Sequence, residues 1–178
     1  KKKKNRVKAL ERRVSELMGF SHLIALSGQT YSRKIDYEIV STMAGVAHSA
    51  HKMCTDIRLL ASFQELEEPF ESTQVGSSAM AYKRNPMRSE RVCSLARYVG
   101  GFAQPIGETH SIQWMERSLD DSAIRRMILP ETFLGIDAIL DISHNIIDGI
   151  TVWPKVIDRV LFCFFLKKKN YNKINLNQ

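Results

Sequence analysis

Between Ile35 and Leu60 the apolar residues fall at positions 35, 39, 43, 46, 50, 53, 57 and 60. Steps of three and four sustained over this length are the period of an α-helix, because a strand would alternate every second residue. The stretch predicts one long helix with a single buried seam, and such a seam needs partner helices along it. Residues 5–18 predict a shorter amphipathic helix through Val7, Leu10, Val14 and Leu17, ending near Gly19, with a connection over 20–34. Periodicity is lost over 62–84, where Pro69 and Gly76 argue for an extended loop. Asn85-Pro86 predicts a helix start, with Asn as the cap and Pro in the first turn, and that helix should run to about Val99 or Phe102. A further helix is expected from near Asp121 to about Ile147, kinked or restarted at Pro130, and Pro154 should open another. No internal repeat and no alternating strand pattern is present. The fold class is therefore all-α, a long-helix bundle, with other subunits expected to cover what this chain's few long helices cannot.

The chain has 178 residues and is 44% apolar, enough for a real core in an ordinary globular range. Its charge is unevenly placed. Residues 1–13 and 155–178 together carry +12, so the remainder of a +7 chain carries −5. A nucleic-acid surface is conceivable only through the tails, whose plain reading is solvated basic ends. Cys54, Cys93 and Cys163 are odd in number and lack metal-type spacing, which predicts buried thiols in a reducing compartment. The opening KKKK is followed by polar sequence, which predicts no signal peptide, and the run VLFCFFL at 160–166 is too short to span a bilayer. His48 and His51 are three apart on the long helix, but no third ligand accompanies them, so no metal is expected.

The stretch VGSSAMAYKRNPMRSER at 75–91 fits neither a core strand nor an ordinary solvated loop. Serine is a weak base unless a cation or backbone N–H groups stabilise its alkoxide. Ser77 has Lys83 six residues on, with small flexible residues between. Such a loop could carry a serine oxygen to a C–H bond and a lysine to a carboxylate, although composition alone equally describes a polar loop before a helix cap. Arg117, Ser122 and Arg126 form a second grouping, two guanidiniums and a hydroxyl near a helix start, which suits an anion. There Asp120 and Asp121 would hold the arginines and cap the helix, and a set of local salt bridges is the bland alternative.

The string GSSAMAYKRNP closely resembles the hallmark loop of the fumarase/aspartase superfamily, and its continuation MRSERVCSLAR resembles the adenylosuccinate lyase family within it. So do SGQTYSRK at 27–34, HKMCTDIRLL at 51–60, EEPFE at 67–71 and QWMERSLDDSAIRR at 113–126, so that the resemblance runs from about residue 5 to about 159. Ala81 departs from the proline usual in the loop, which removes a φ restraint there. The resemblance implies the central helical domain of that superfamily over residues 1–153, with the loop at 74–86, and the start of a C-terminal region with an atypical basic tail over 154–178.

It also implies β-elimination of fumarate from adenylosuccinate, giving AMP, and from SAICAR, giving AICAR, in purine biosynthesis, without a cofactor. By the resemblance Ser77 is the catalytic base. Gln29, Met80, Lys83, Asn85 and Arg91 contact substrate, and Arg117, Ser122 and Arg126 bind the nucleotide phosphate. A cytoplasmic homotetramer with active sites shared between subunits is implied, with no membrane and no specific nucleic-acid partner. The family's histidine acid corresponds to no residue here, and VLFCFFLKKKNYNKINLNQ looks foreign to the family, so the chain is expected to be an incomplete central portion. The rivals are another superfamily lyase, such as argininosuccinate lyase or fumarase, which would not need a phosphate grouping, and a non-catalytic helical oligomerisation fragment.

Overall fold

The structure, a computed structural model, describes residues 2–70, 84–113 and 119–162. Helix α1 (Lys2–Met18) ends where Gly19 takes φ of +74°. There the Phe20 N–H reaches the Ser15 carbonyl at 3.0 Å and the Gly19 N–H reaches that of Glu16 at 3.3 Å. These two bonds form a Schellman motif, whose left-handed residue only glycine adopts without strain. The predicted apolar line of α1 exists, yet Val7, Leu10, Val14 and Leu17 all lie exposed.

Helix α2 (Lys34–Ser62) is the long helix the period predicts. Its buried line, however, is Asp36, Val40, Ala44, Ala47, Cys54 and Ile57, mostly one residue C-terminal to the expected seam. Ile39 and Val46 of the expected seam stay 38% and 40% exposed, while Met43, Ala50, Met53 and Leu60 pack at the margin of the core. The physical reason is that small residues, not the largest, face the neighbours: Ala44, Ala47 and Cys54 allow close approach, and Asp36 is buried because it is ion-paired.

Helices α3 (Met87–Gly100) and α5 (Asp121–Gly149) pack on α2 around Ala47, Cys54, Val92, Ala96, Val99 and Ile139. The fit is tight enough that a Cβ on Gly135 would come within 2.6 Å of a Val99 methyl. Burial pushes the Cys54 thiol up to about 11, so it stays a neutral core group, as the cysteine usage predicts. A second small cluster, Val40, Ile106 and Ile128, joins α2 and α5 to α4 (Ala103–Ser111), a helix the sequence reading did not anticipate. Pro105 stands in its first turn, where a missing N–H costs nothing.

Helix α5 continues through Pro130 without the expected restart. Pro130 lies on the exposed side, where water can satisfy the Arg126 carbonyl left without its helical donor. One antiparallel pair, β1 (Leu66–Glu67) with β2 (Thr151–Val152), was also unforeseen; it sets Leu66 opposite Val152 and ties the end of α5 to the chain leaving α2. Residues 154–162 are helical, as Pro154 predicts. The chain is all-α in class, a layer of long helices with this two-residue ladder at one end.

Candidate active site

Ser77, Met80, Lys83 and Arg117 lie outside the described residues. The described chain on either side of the first three is clasped together. Glu67 pairs with Arg84 at 3.0 Å, and the Arg84 guanidinium also sits 5.0 Å from the centre of the Phe70 ring. The Arg88 guanidinium donates to the Pro69 carbonyl. Asn85 does not cap α3 as its type predicts: the cap position is Pro86, with no side-chain cap bond. Instead the Glu68 carboxylate, from EEPFE, accepts the N–H of Arg88 at 3.0 Å and of Ser89 at 2.7 Å. A carboxylate at that end also opposes the positive pole of the helix. Proline at the cap leaves the first turn without a side-chain acceptor of its own, and a residue some twenty positions earlier supplies it. Asn85 itself is exposed and lines a pocket of about 340 Å³ together with Glu67, Phe70, Arg84 and Arg88. Arg91 is exposed one turn into α3.

The described part of the second grouping lies at the start of α5. Ser122 is half-buried in the first turn of α5 and Arg126 is exposed one turn on. Asp120 occupies the cap position without a side-chain cap bond. Asp121 pairs with Arg33 at 2.6 Å, both side chains 4% exposed, a partner that the local sequence did not suggest. Its burial explains why Arg33 is there: a carboxylate removed from water needs a partner equally removed.

Arg33 belongs to SGQTYSRK, the stretch that also carries the exposed Gln29. Around it lies a polar network that sequence reasoning missed. The Tyr31 hydroxyl donates to Asp36 at 2.7 Å, and Arg125 donates to both Asp36 and the Tyr31 oxygen. The Tyr31 ring has the Arg33 and Arg125 guanidiniums at 4.7 and 5.5 Å from its centre. Gln113 accepts the Arg33 N–H at 2.9 Å and donates to the Tyr31 carbonyl at 3.3 Å. Burial and the hydrogen bond to Asp36 raise the Tyr31 hydroxyl above its usual value. For Arg125 burial alone would lower the value, but the hydrogen bond and charge of Asp36 outweigh it and raise it. The signal in the sequence was that these residues fall in SGQTYSRK and QWMERSLDDSAIRR, with Asp36 beside the start of an apolar helical line.

His51 has its Nδ1 3.3 Å from the Thr55 hydroxyl, and among the described residues no group of three or more His, Cys, Asp or Glu could hold a metal ion. No described helix is long and apolar enough to cross a membrane. What the geometry offers is chemistry by placed cations: Arg84 and Arg88 beside one polar pocket, and a helix start flanked by Ser122 and Arg126.

Comparison with known proteins adds three findings. The family model described as Lyase matches residues 5–101. The sequence is 57% identical over 155 residues to an adenylosuccinate lyase of Saccharomyces cerevisiae, and 53% identical over 149 residues to one of Schistosoma mansoni. These matches take in 87% and 84% of this chain but 32% and 31% of the relatives, so the chain spans about a third of their length. Among solved structures, a fumarate lyase:delta crystallin of Brucella melitensis matches with a TM-score of 0.63 at 22% identity, over 80% of this chain and 32% of that one. A 3-carboxy-cis,cis-muconate lactonizing enzyme of Pseudomonas putida matches with a TM-score of 0.61 at 28% identity, over 70% and 27%.

Proposed function

The chain belongs to the lyase family, and from that premise we propose that it is the central helical portion of an adenylosuccinate lyase. The observation that carries the reading is the reach of the match: 155 residues at 57% identity cannot fit within 5–101, so the likeness to adenylosuccinate lyases extends beyond the part the broader lyase family accounts for. The reaction is elimination of fumarate from adenylosuccinate to give AMP, and from SAICAR to give AICAR.

Ser77 is the base in this proposal. Its oxygen takes the proton from the carbon beside the succinyl carboxylate. The electron pair spreads into that carboxylate and then forms the double bond of fumarate as the carbon–nitrogen bond breaks. An acid protonates the departing nitrogen, a role for which the family uses a histidine that no residue here matches. Lys83 and Asn85 hold the carboxylate where charge develops, so they act most strongly in the transition state. Met80 packs near the substrate, and Gln29 and Arg91 bind it. Arg117, Ser122 and Arg126 hold the phosphate, which does not change during the reaction. The clasp of Glu67, Glu68, Arg84 and Arg88 supports this reading, since it fixes the chain on both sides of the segment that carries Ser77 and Lys83. The active form is a cytoplasmic homotetramer with shared sites, residues 154–178 begin the next region, and no metal takes part.

The test is an absorbance assay with adenylosuccinate, SAICAR and argininosuccinate. The full-length enzyme should turn over the first two and not the third, while the 178-residue chain alone should be inactive for want of its acid. Turnover of argininosuccinate alone would replace the reading with another superfamily lyase. Full turnover by the short chain would sink the account of it as a portion.

A further inference from the structure

Two ion pairs, one buried and one half-buried, meet at the start of α5, and the proposed function assigns neither of them a task. Asp121 is bound to Arg33, and Arg125 to Asp36 and Tyr31. Each anchored residue on α5 is followed directly by a candidate phosphate ligand, Ser122 after Asp121 and Arg126 after Arg125. Successive helical residues are about 100° apart, so anchoring one face of the turn fixes the direction in which the adjacent face presents its groups. On the other side, Arg33 and Tyr31 lie four and two residues after Gln29. Gln113 is bonded to both, which ties the chain after α4 into the same network.

Buried ion pairs of this kind contribute little net stability compared with apolar packing, because desolvation offsets their attraction. They do dictate geometry, since a charge removed from water has to lie where its partners stand. The Tyr31 ring, within cation–π distance of both guanidiniums, adds a further contact to this arrangement.

We propose that Arg33, Asp36, Asp121 and Arg125 are positioning residues, which lock the first turn of α5 onto the Gln29 stretch and thereby hold Ser122 and Arg126 where a nucleotide 5′-phosphate binds. The proposal rests on the phosphate role of Ser122 and Arg126 given above. It assigns substrate recognition to four residues that do not touch substrate, and it predicts a selective defect. Weakening the lock should harm recognition of the phosphate and spare the elimination itself.

The experiment uses the full-length enzyme with Asp121→Asn and, separately, Arg125→Lys, the second because the more exposed Arg125 is less apt to be needed for folding. Both variants should raise KM for adenylosuccinate and Kd for AMP roughly tenfold, about what one charge-assisted hydrogen bond is worth, with kcat little changed. Turnover of the same substrate lacking its 5′-phosphate should be as in the parent enzyme. A purely architectural role would instead lower the melting temperature and leave KM and AMP affinity unmoved, and that result overturns the proposal. If Asp121→Asn does not fold, Arg125→Lys decides alone. Ser122→Ala and Arg126→Ala are run alongside. If these leave AMP affinity intact, the phosphate reading itself falls. If they weaken it while the lock variants do not, only the positioning role falls.

Discussion

Glu68 joins the elements most directly through a single side chain. Its two oxygens accept two N–H groups at the start of α3, a helix whose own cap position is a proline. Glu68→Ala should therefore lower stability by about 1–2 kcal/mol, the range for losing a helix cap, and Glu68→Gln by less, since one acceptor oxygen remains. Urea unfolding monitored by circular dichroism measures both, and equal losses would deny the cap its role. Residue identity alone misled here. Asn-Pro reads as a cap followed by a first-turn proline, and only the return of the chain from α2 through β1 brings a better acceptor to that end. Asp121 is the same lesson at the other site. Its position in DDSA gave no hint of Arg33, the buried partner 88 residues earlier.

The helices themselves were largely legible. The apolar period gave α2, the Pro and Gly punctuation bounded α3 and the start at 154, and Asp121 opens α5 as read. What the period could not give is which line of α2 faces inward. Large apolar residues drew the expected seam, whereas the neighbours approach over alanine, cysteine and a paired aspartate. Close approach recurs between α3 and α5 at Gly135. Gly135→Ala would press its methyl on Val99, where the available distance is 2.6 Å, and should cost roughly 1–3 kcal/mol as overpacking. Gly45 on α2 has nothing within 4 Å of an added Cβ, so Gly45→Ala should be neutral or stabilising by up to about 1 kcal/mol. Thermal melts of the two variants check the contrast, and a similar effect from both would mean that packing at Gly135 is not the constraint. Helix α4 went unread because QPIGETHS has too few apolar positions to show a period; its burial rests on Ile106 and Thr109.

The whole molecule leaves much apolar surface uncovered. Val7, Leu10, Leu17, Phe20 and Leu26 line the N-terminal helix and its connection, and Phe133, Leu134 and Leu140 line the outer side of α5. Large exposed apolar patches are uncommon on monomers, and we propose that these residues are subunit contacts in the lyase. Sedimentation at micromolar concentration should show the chain associated, and a single stable monomer would contradict the shared-bundle proposal.

The central claim is that this chain brings the base of a fumarate-releasing elimination, and steady-state kinetics of Ser77→Ala in the full-length enzyme tests it most directly, with Ser78→Ala and Arg117→Ala as references. Ser77→Ala should lose about a hundred- to ten-thousand-fold in kcat with AMP binding retained, the span general-base catalysis supplies. Ser78→Ala should be mild, and Arg117→Ala should chiefly weaken binding. Near-normal turnover in Ser77→Ala, with the loss falling on Ser78→Ala instead, would contradict the account.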